Sequence, residues 1–547
     1  MMKKSAAIFI GILICFAVIA GAYYWANSLM DSIYAYRSPL HDSPPKAGEA
    51  LGEPNTRSLV IVLIDALRYD TSMNTDVMPF LNQLRSRGAS AMMHSRPPSY
   101  SAPGYSVILT GAWPELSDGP AMNLEYEQIP TFTQDNLYSA AHRAGFTTAI
   151  SAFNWFEKLI PQQAISTSFY TAGEDQIADR QVVDAALPWL QLGRYDLVLI
   201  HLDQVDYAGH HEGGPIDPRW DAAATRADNL LREIATTMDL NQDTLLVISD
   251  HGQIDLGGHG GQEPIVLVEP FVLVGKGVIQ GNYGDVQMVD VAPTVATILG
   301  MNIPATSQGH PQVAMFDFSL SQVDQIKESL SIQQEQLAAN YSTAINQPVN
   351  VVKSSDIVSA TQNAMNAART RLLNIQMIPR TIIAIIVAFL LITLMAGYAR
   401  PYYRWMLLGV GAYLLIFIAK YILIDHKTFS LSSVTSATDL IYSVAFTSLI
   451  ALFFSWILVI LGTKIYQYKP QTVTDFTLKF VFTVLSILAI PILVHYAIDG
   501  AVITWALPNF LVSFLGLLFL MQCLMVAAIG LFLTAISPLI GYFAHGK

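Results

Sequence analysis

The chain has 547 residues, 52% of them hydrophobic and 13% charged, with a formal net charge of -12. That length exceeds one ordinary domain and that composition is too apolar for a wholly soluble chain, so a membrane protein is expected. The acidic balance, with no basic stripe, excludes the bulk phosphate neutralisation that nucleic-acid binding needs.

In chain order, Lys3 and Lys4 precede an apolar run at 5–25 that is long enough to cross a hydrocarbon core of roughly 30 Å. Residues 1–30 therefore read as an N-terminal transmembrane anchor with its N-terminus cytoplasmic. Ala20-Gly21-Ala22 also fits a cleavage site, but the aromatic flank Tyr23, Tyr24, Trp25 favours a retained span. Residues 31–57, rich in Pro, Gly and polar residues, read as a linker.

Residues 58–318 alternate short β-rich apolar runs with amphipathic helical ones. Strands are expected at 58–64, 147–151, 195–202, 244–249 and 270–274, and helices at 131–145, 180–190, 218–238 and 290–300. This alternation predicts an α/β sandwich with a mostly parallel central sheet, whose ligands bind beyond the carboxyl ends of the strands. Residues 319–377 turn to Gln, Ser, Asn and Ala and read as a helical stalk. Residues 378–547 read as a multi-span membrane domain of about five helices, near 381–398, 404–424, 438–462, 478–497 and 509–534. With the anchor that makes six spans, both termini cytoplasmic and the α/β domain extracytoplasmic. Arg400, Arg404, Lys464 and Lys469 then fall in the inner loops, as the positive-inside rule asks. Lys420 and His495 lie near span ends, where snorkelling would relieve them. Cys15 and Cys523 both lie in apolar runs, so the region between them holds neither a disulfide nor a thiolate metal site.

The chemistry gathers at strand ends. The first run, SLVIVLIDALRYD, ends in Asp65, and RPPSYSAPGYSVILTG places Ser101 at a helix start, as an N-cap before Pro103. LVLIHLDQVDYAGHHEGG then carries Asp206 and His210 four residues apart, LLVISDHGQ carries Asp250 and His251, and GGHGG centres on His259. Each alone reads as a cap or an ordinary polar residue. Together they supply oxygen and nitrogen donors suited to zinc, with manganese or another divalent metal as the alternative, and glycines that permit tight folding. Seven such groups suffice for two adjacent metals clamping an in-line displacement at phosphorus, with Ser101 as the activated nucleophile. Neighbouring polar groups read as structural: Arg68 with Asp70 as an ion pair, His211 as solvent-facing, Asp203 as buried and hydrogen-bonded. His310 competes with His259 as the last ligand and is the weaker choice, since His259 directly follows the Asp-His pair.

The order IDALRYD, SAPGYSVILTG, DYAGH, SDHG, GGHGG and PFVLVGKGV resembles the alkaline phosphatase superfamily, in its nucleotide pyrophosphatase and phosphodiesterase branch. Among those enzymes the chain is most similar to the glycosylphosphatidylinositol ethanolamine-phosphate transferases, in motifs over residues 58–310 and elsewhere in layout. The resemblance implies an alkaline-phosphatase-like sandwich with an α-helical transmembrane domain. It further implies one zinc on Asp65, Ser101, Asp250 and His251, and the other on Asp206, His210 and His259. The substrate class implied is a phosphodiester or lipid-linked phosphate, with membrane lipids as surroundings. Tyr105 stands where several relatives have a histidine, and where a sulfatase signature would need an arginine. The expected activity is a phosphoethanolamine-type transferase, or a phosphodiesterase if water is the acceptor. A scaffold or a transporter is the non-enzymatic alternative.

Overall fold

The apolar run at 59–64 forms the middle of a sheet buried on both faces. It becomes β1 (Leu59–Ile64), followed by β2 (Ala89–His94), β3 (Thr148–Phe153), β4 (Thr167–Thr171), β5 (Leu197–Leu202), β6 (Thr244–Ile248), β7 (Val268–Gly275) and β8 (Gly281–Gln287). The computed structural model describes residues 2–400 and 402–545. Met1, Pro401, Gly546 and Lys547, which fall within the expected membrane segments, lie outside the described residues. The strand order is β4-β3-β5-β1-β6-β7-β2-β8. Pairing is parallel from β4 through β6 and between β2 and β8, and only β7 runs against its neighbours. The α/β sandwich with a mostly parallel sheet is therefore present.

The pleat of β1 explains its unbroken hydrophobicity. Leu59, Ile61 and Leu63 join one core with the helices Ser101–Thr110 and Val291–Ile298. Val60, Val62 and Ile64 join another with the helices Gln176–Leu192 and Pro218–Thr237. Covered on both sides, the strand has no polar face to alternate with.

Three strands escape the sequence reading. β2 reads ASAMMH and lacks a β-branched run, whereas β4 and β8 are edge strands that need only one apolar face. The helix expected at 131–145 shrinks to Leu137–Arg143, because the Asn136 side chain accepts from Ser139 N and caps it late.

One compact unit comprises Tyr34–Leu372 with Trp505–Leu507. Part of the stretch expected as a stalk, the helix Leu320–Ala344, opens on a Ser319/Gln322 capping box and gives Ile326 and Leu330 to the sheet's core. Its Leu337 and Tyr341 pack with Leu40, Ala112 and Leu116.

The other unit holds the remaining described residues up to Ile33, Leu373–Thr504 and those from Pro508 onward. Among the described residues, six helices are long and apolar enough to cross a membrane: Ala6–Tyr34, Ile357–Tyr398, Tyr403–Ile424, Ala437–Thr463, Pro470–Ile498 and Phe510–Ile540. The chain is thus an integral membrane protein. Polar side chains tie these helices together, with Tyr413 Oη donating to Gln522 Oε1 at 3.1 Å and Trp456 Nε1 to Thr477 Oγ1 at 3.0 Å. Lys420 and His495 lie near the ends of the helices Tyr403–Ile424 and Pro470–Ile498. Lys420 Nζ bonds both Asp425 oxygens at 2.7 and 2.8 Å, and buried His495 lies 3.4 Å from Asp499 Oδ2. An ammonium near a span end is cheaper to pair with a carboxylate than to leave facing hydrocarbon, as Lys420 is with Asp425.

Replacing Ile61, fully buried at the sheet's centre, by Ala should cost about 2–5 kcal/mol. A denaturant melt of the full chain should show this as a lower midpoint with an unchanged slope.

Candidate functional site

The carboxyl ends of β1, β5 and β6 meet at one edge, and each is followed by residues singled out above. Asp65 follows β1, and its successor Ala66 turns through φ +58°, a left-handed conformation that costs a non-glycine residue about 1 kcal/mol or more. That turn brings Ala66 N within 3.3 Å of Asp250 Oδ1, so two buried carboxylates face each other. Ser101 opens the helix Ser101–Thr110 but does not cap it, contrary to the N-cap expectation. The cap position is Tyr100, without a side-chain bond, and Asn123 Oδ1 instead accepts from Ala102 N at 3.0 Å. Relieved of capping, Ser101 Oγ points to His251 Nε2 at 3.1 Å. Gly104, one turn along, lets the helix approach, since a Cβ there would lie 2.8 Å from Asp250 Cβ.

Two groups of ligating atoms result. In the first, His251 Nε2 lies 3.1 Å from Ser101 Oγ and 3.4 Å from both Asp65 Oδ1 and Asp250 Oδ2. In the second, His210 Nε2 and His259 Nε2 lie 2.9 Å apart, and Asp206 reaches them at 3.4 and 3.5 Å. Asp65, Asp206 and His251 also have ligating atoms within 4.8 Å of one another, so the groups adjoin. All seven residues singled out from the sequence meet here. His310 does not: its Nε2 pairs with Asp356 at 2.8 Å.

The loops that carry the second group touch through glycine. Gly257 has φ +87°, and a Cβ on it would lie 2.0 Å from Gly209 O. Gln253 binds this junction from within, donating to Asp206 Oδ1 at 2.6 Å while Gly258 N donates to its Oε1 at 2.9 Å. Arg68 is more than half of a local pair: besides Asp70 it reaches Asp255 Oδ1 at 2.7 Å, which ties the loop after β1 to the loop bearing His259. His211 is exposed, its ring tilted against Tyr207 at 4.6 Å between centroids, as expected of a solvent-facing residue.

The donor set fits divalent cations. Asp65 Oδ1 and Asp250 Oδ2 are buried and have no hydrogen-bond partner, which is costly unless a cation faces them. Burial, and then the Asp65 carboxylate, push Asp250 well above the usual carboxylate range. Burial alone would raise Asp206, yet His210, His259 and His251 bring it below its ordinary value. Burial, then His251, hold His259 well below the usual imidazole value and so neutral. Both inner histidines are turned the same way: Nδ1 faces a carbonyl, Gly252 O at 3.1 Å for His251 and Ser99 O at 2.9 Å for His259. A proton on Nδ1 leaves the Nε2 lone pair to the site, as metal-binding histidines require.

Sequence reasoning missed Asn123, Gln253 and His201. Only His201 left a local signal, a lone imidazole inside the apolar run LVLIHL.

The chain belongs to the type I phosphodiesterase/nucleotide pyrophosphatase family, which its sequence matches over residues 59–117 and 122–348. Within the superfamily reading, it is similar to the human GPI ethanolamine phosphate transferase 2 catalytic subunit, 28% identical over 291 residues, or 48% of this chain and 29% of that protein. It is also similar to GPI ethanolamine phosphate transferase 2 of Candida albicans, 26% identical over 52% of this chain and 33% of that one. The match thus spans about a third of those relatives' own length. Among solved structures, human ectonucleotide pyrophosphatase/phosphodiesterase 5 aligns with a TM-score of 0.38 and 13% identity, over 45% of this chain and 95% of that one.

Asp179 anchors the helix that presents Asp206 and His210, accepting from Asp203 N at 2.7 Å and from Gln204 Nε2 at 2.7 Å. Burial raises its pKa from 3.8 to about 6, although those bonds oppose the shift. A raised pKa makes the folded state bind the proton more tightly, so this contribution to stability is full below pH 3.8 and lost as pH rises through about 6. Unfolding of Asp179→Asn against wild type, followed between pH 4 and pH 7, should show that slope in the wild type only.

Proposed function

We propose that this chain is a membrane-bound phosphotransferase that moves a phosphoethanolamine-type group from a lipid phosphodiester through Ser101. The observation that carries this reading is the convergence of Ser101 Oγ, three carboxylates and three imidazoles at one sheet edge. Asp65, Ser101, Asp250 and His251 would hold one divalent ion, and Asp206, His210 and His259 the other. Zinc suits this mixture of carboxylate and imidazole donors, with manganese as the alternative. Two such ions supply positive charge that lowers the proton affinity of a serine hydroxyl and offsets charge on the non-bridging phosphate oxygens.

The chain's own residues do the rest. Ser101 Oγ attacks phosphorus, the Oγ–P bond forms and the bond from phosphorus to the leaving alkoxide breaks. The leaving alkoxide takes up the proton lost from Ser101 Oγ; an acceptor hydroxyl then attacks the serine-linked phosphoethanolamine, its O–P bond forming as the Oγ–P bond breaks, and its proton returns to Ser101 Oγ. The helix N-terminus at Ser101 adds favourable potential for the developing anion. Buried Asp65 and Asp250 keep bulk water from competing as ligands, and Gln253 and Arg68 hold the loops that close the second group. Phosphatidylethanolamine is the donor we favour, because the GPI ethanolamine phosphate transferases are similar in sequence and six spans exceed what an anchor needs. Both termini would face the cytoplasm and the sheet-bearing unit the opposite side, following the inner-loop cations. Water as acceptor would make the same site a phosphodiesterase.

Purified full chain should hold about two zinc ions by elemental analysis. It should release diacylglycerol from labelled phosphatidylethanolamine and retain label on Ser101 when acceptor is withheld. Ser101→Ala should retain the fold and lose both turnover and label. Turnover indifferent to Ser101, or a chain that purifies without metal and regains no activity with zinc or manganese, would sink the reading.

A further inference from the structure

A ligand carboxylate works best when one oxygen is fixed by hydrogen bonds and the other is left to the metal. Asp65 is built this way. The hydroxyl of Tyr105 donates to its Oδ2, and His201 Nε2 lies 3.0 Å from the same oxygen. Oδ1 has no hydrogen-bond partner and lies 3.4 Å from His251 Nε2, on the side of Ser101.

The clamp comes from two different elements. Tyr105 sits one turn beyond Ser101 on the same helix, so the residue pair i and i+4 shares a face: Ser101 meets His251, and Tyr105 meets Asp65. His201 is the penultimate residue of β5, paired in register with Leu63, beside the strand end that delivers Asp65. The two clamping groups also meet each other, with Tyr105 Oη 3.0 Å from His201 Nε2. Packing fixes both rings: Tyr105 stacks on Phe156 at 4.4 Å between centroids, and Phe156 lies 5.4 Å from His201. Both residues are essentially fully buried, so water cannot substitute for either donor.

The geometry points to Tyr105 and His201 as positioning residues that together hold Asp65 as a one-oxygen metal ligand, with Oδ1 turned to the ion shared by Ser101. Neither residue is expected to touch substrate. The pair also answers the departure noted at Tyr105: a phenol in place of an imidazole on the helix is matched by an imidazole on β5. Asp65, His201 and Asp203 are close enough together to suggest a third cation instead. However, the Tyr105 hydroxyl already occupies the Asp65 oxygen that faces them.

The inference rests on the two-metal reading, and the test separates the two. Zinc would be titrated into metal-free full-length protein in detergent against a chromophoric chelator, for wild type, Tyr105→Phe, His201→Leu and His201→Gln. Thermal unfolding of each metal-free variant would be measured alongside. Wild type should take up two ions. Tyr105→Phe and His201→Leu should bind one of the two about 10- to 100-fold more weakly and leave the other unchanged. His201→Gln, which retains a donor, should recover affinity that His201→Leu loses, an outcome a purely structural role would not produce. Wild-type affinity in both Tyr105→Phe and His201→Leu, or three ions per wild-type chain, would overturn the clamp alone. Fewer than two ions in the wild type would sink the two-metal reading and the clamp with it.

Discussion

Two buried carboxylates set against each other are the constraint on which the rest of the site depends. Asp65 and Asp250 emerge from adjacent strands, β1 and β6, into a region that excludes water. Left alone, like charges in such a place repel and desolvation favours their protonated forms. The surrounding structure does not supply a lysine or arginine to either free oxygen among the described residues. It supplies imidazole lone pairs and a serine hydroxyl. That donor set fits a divalent cation rather than an ion pair with lysine or arginine.

Everything that shapes this edge works to hold unfavourable arrangements in place. The left-handed Ala66 aims Asp65 and costs energy that the buried sheet must cover. Gly104 and Gly257 permit approaches that any side chain would block. The histidines are oriented by carbonyls and Asp206 by Gln253, which fixes where their donor atoms point. Arg68 belongs to the same scheme. Although it reads locally as an ion pair with a near neighbour, its longer reach to Asp255 joins two site loops.

What was legible in the sequence follows from how each feature is made. β1, β5 and β6 announce themselves because a strand covered on both faces must be apolar throughout. The candidate ligand residues stood out because charged groups directly after such strands are few, and glycines cluster beside them. The edge strand β8 did not, since one exposed side lets it read as a polar, glycine-containing loop. Ser101 was read correctly as a helix start and incorrectly as its cap. The cap is supplied by Asn123, from a loop whose approach no local pattern records.

The sequence alone determined which residues hold oxygen and nitrogen donors, that they follow strands of one α/β sheet, and that six apolar helices accompany it. Those properties are local: hydrophobic runs, spacings and glycines act over a few residues and leave a trace there. Only the tertiary structure decided which carboxylate oxygens are free, which way each imidazole turns, and that Tyr105 and His201 grip the same atom from a helix and a strand. Such details depend on atoms brought together from residues up to 160 positions apart. Packing, not spacing along the chain, sets distances of that kind.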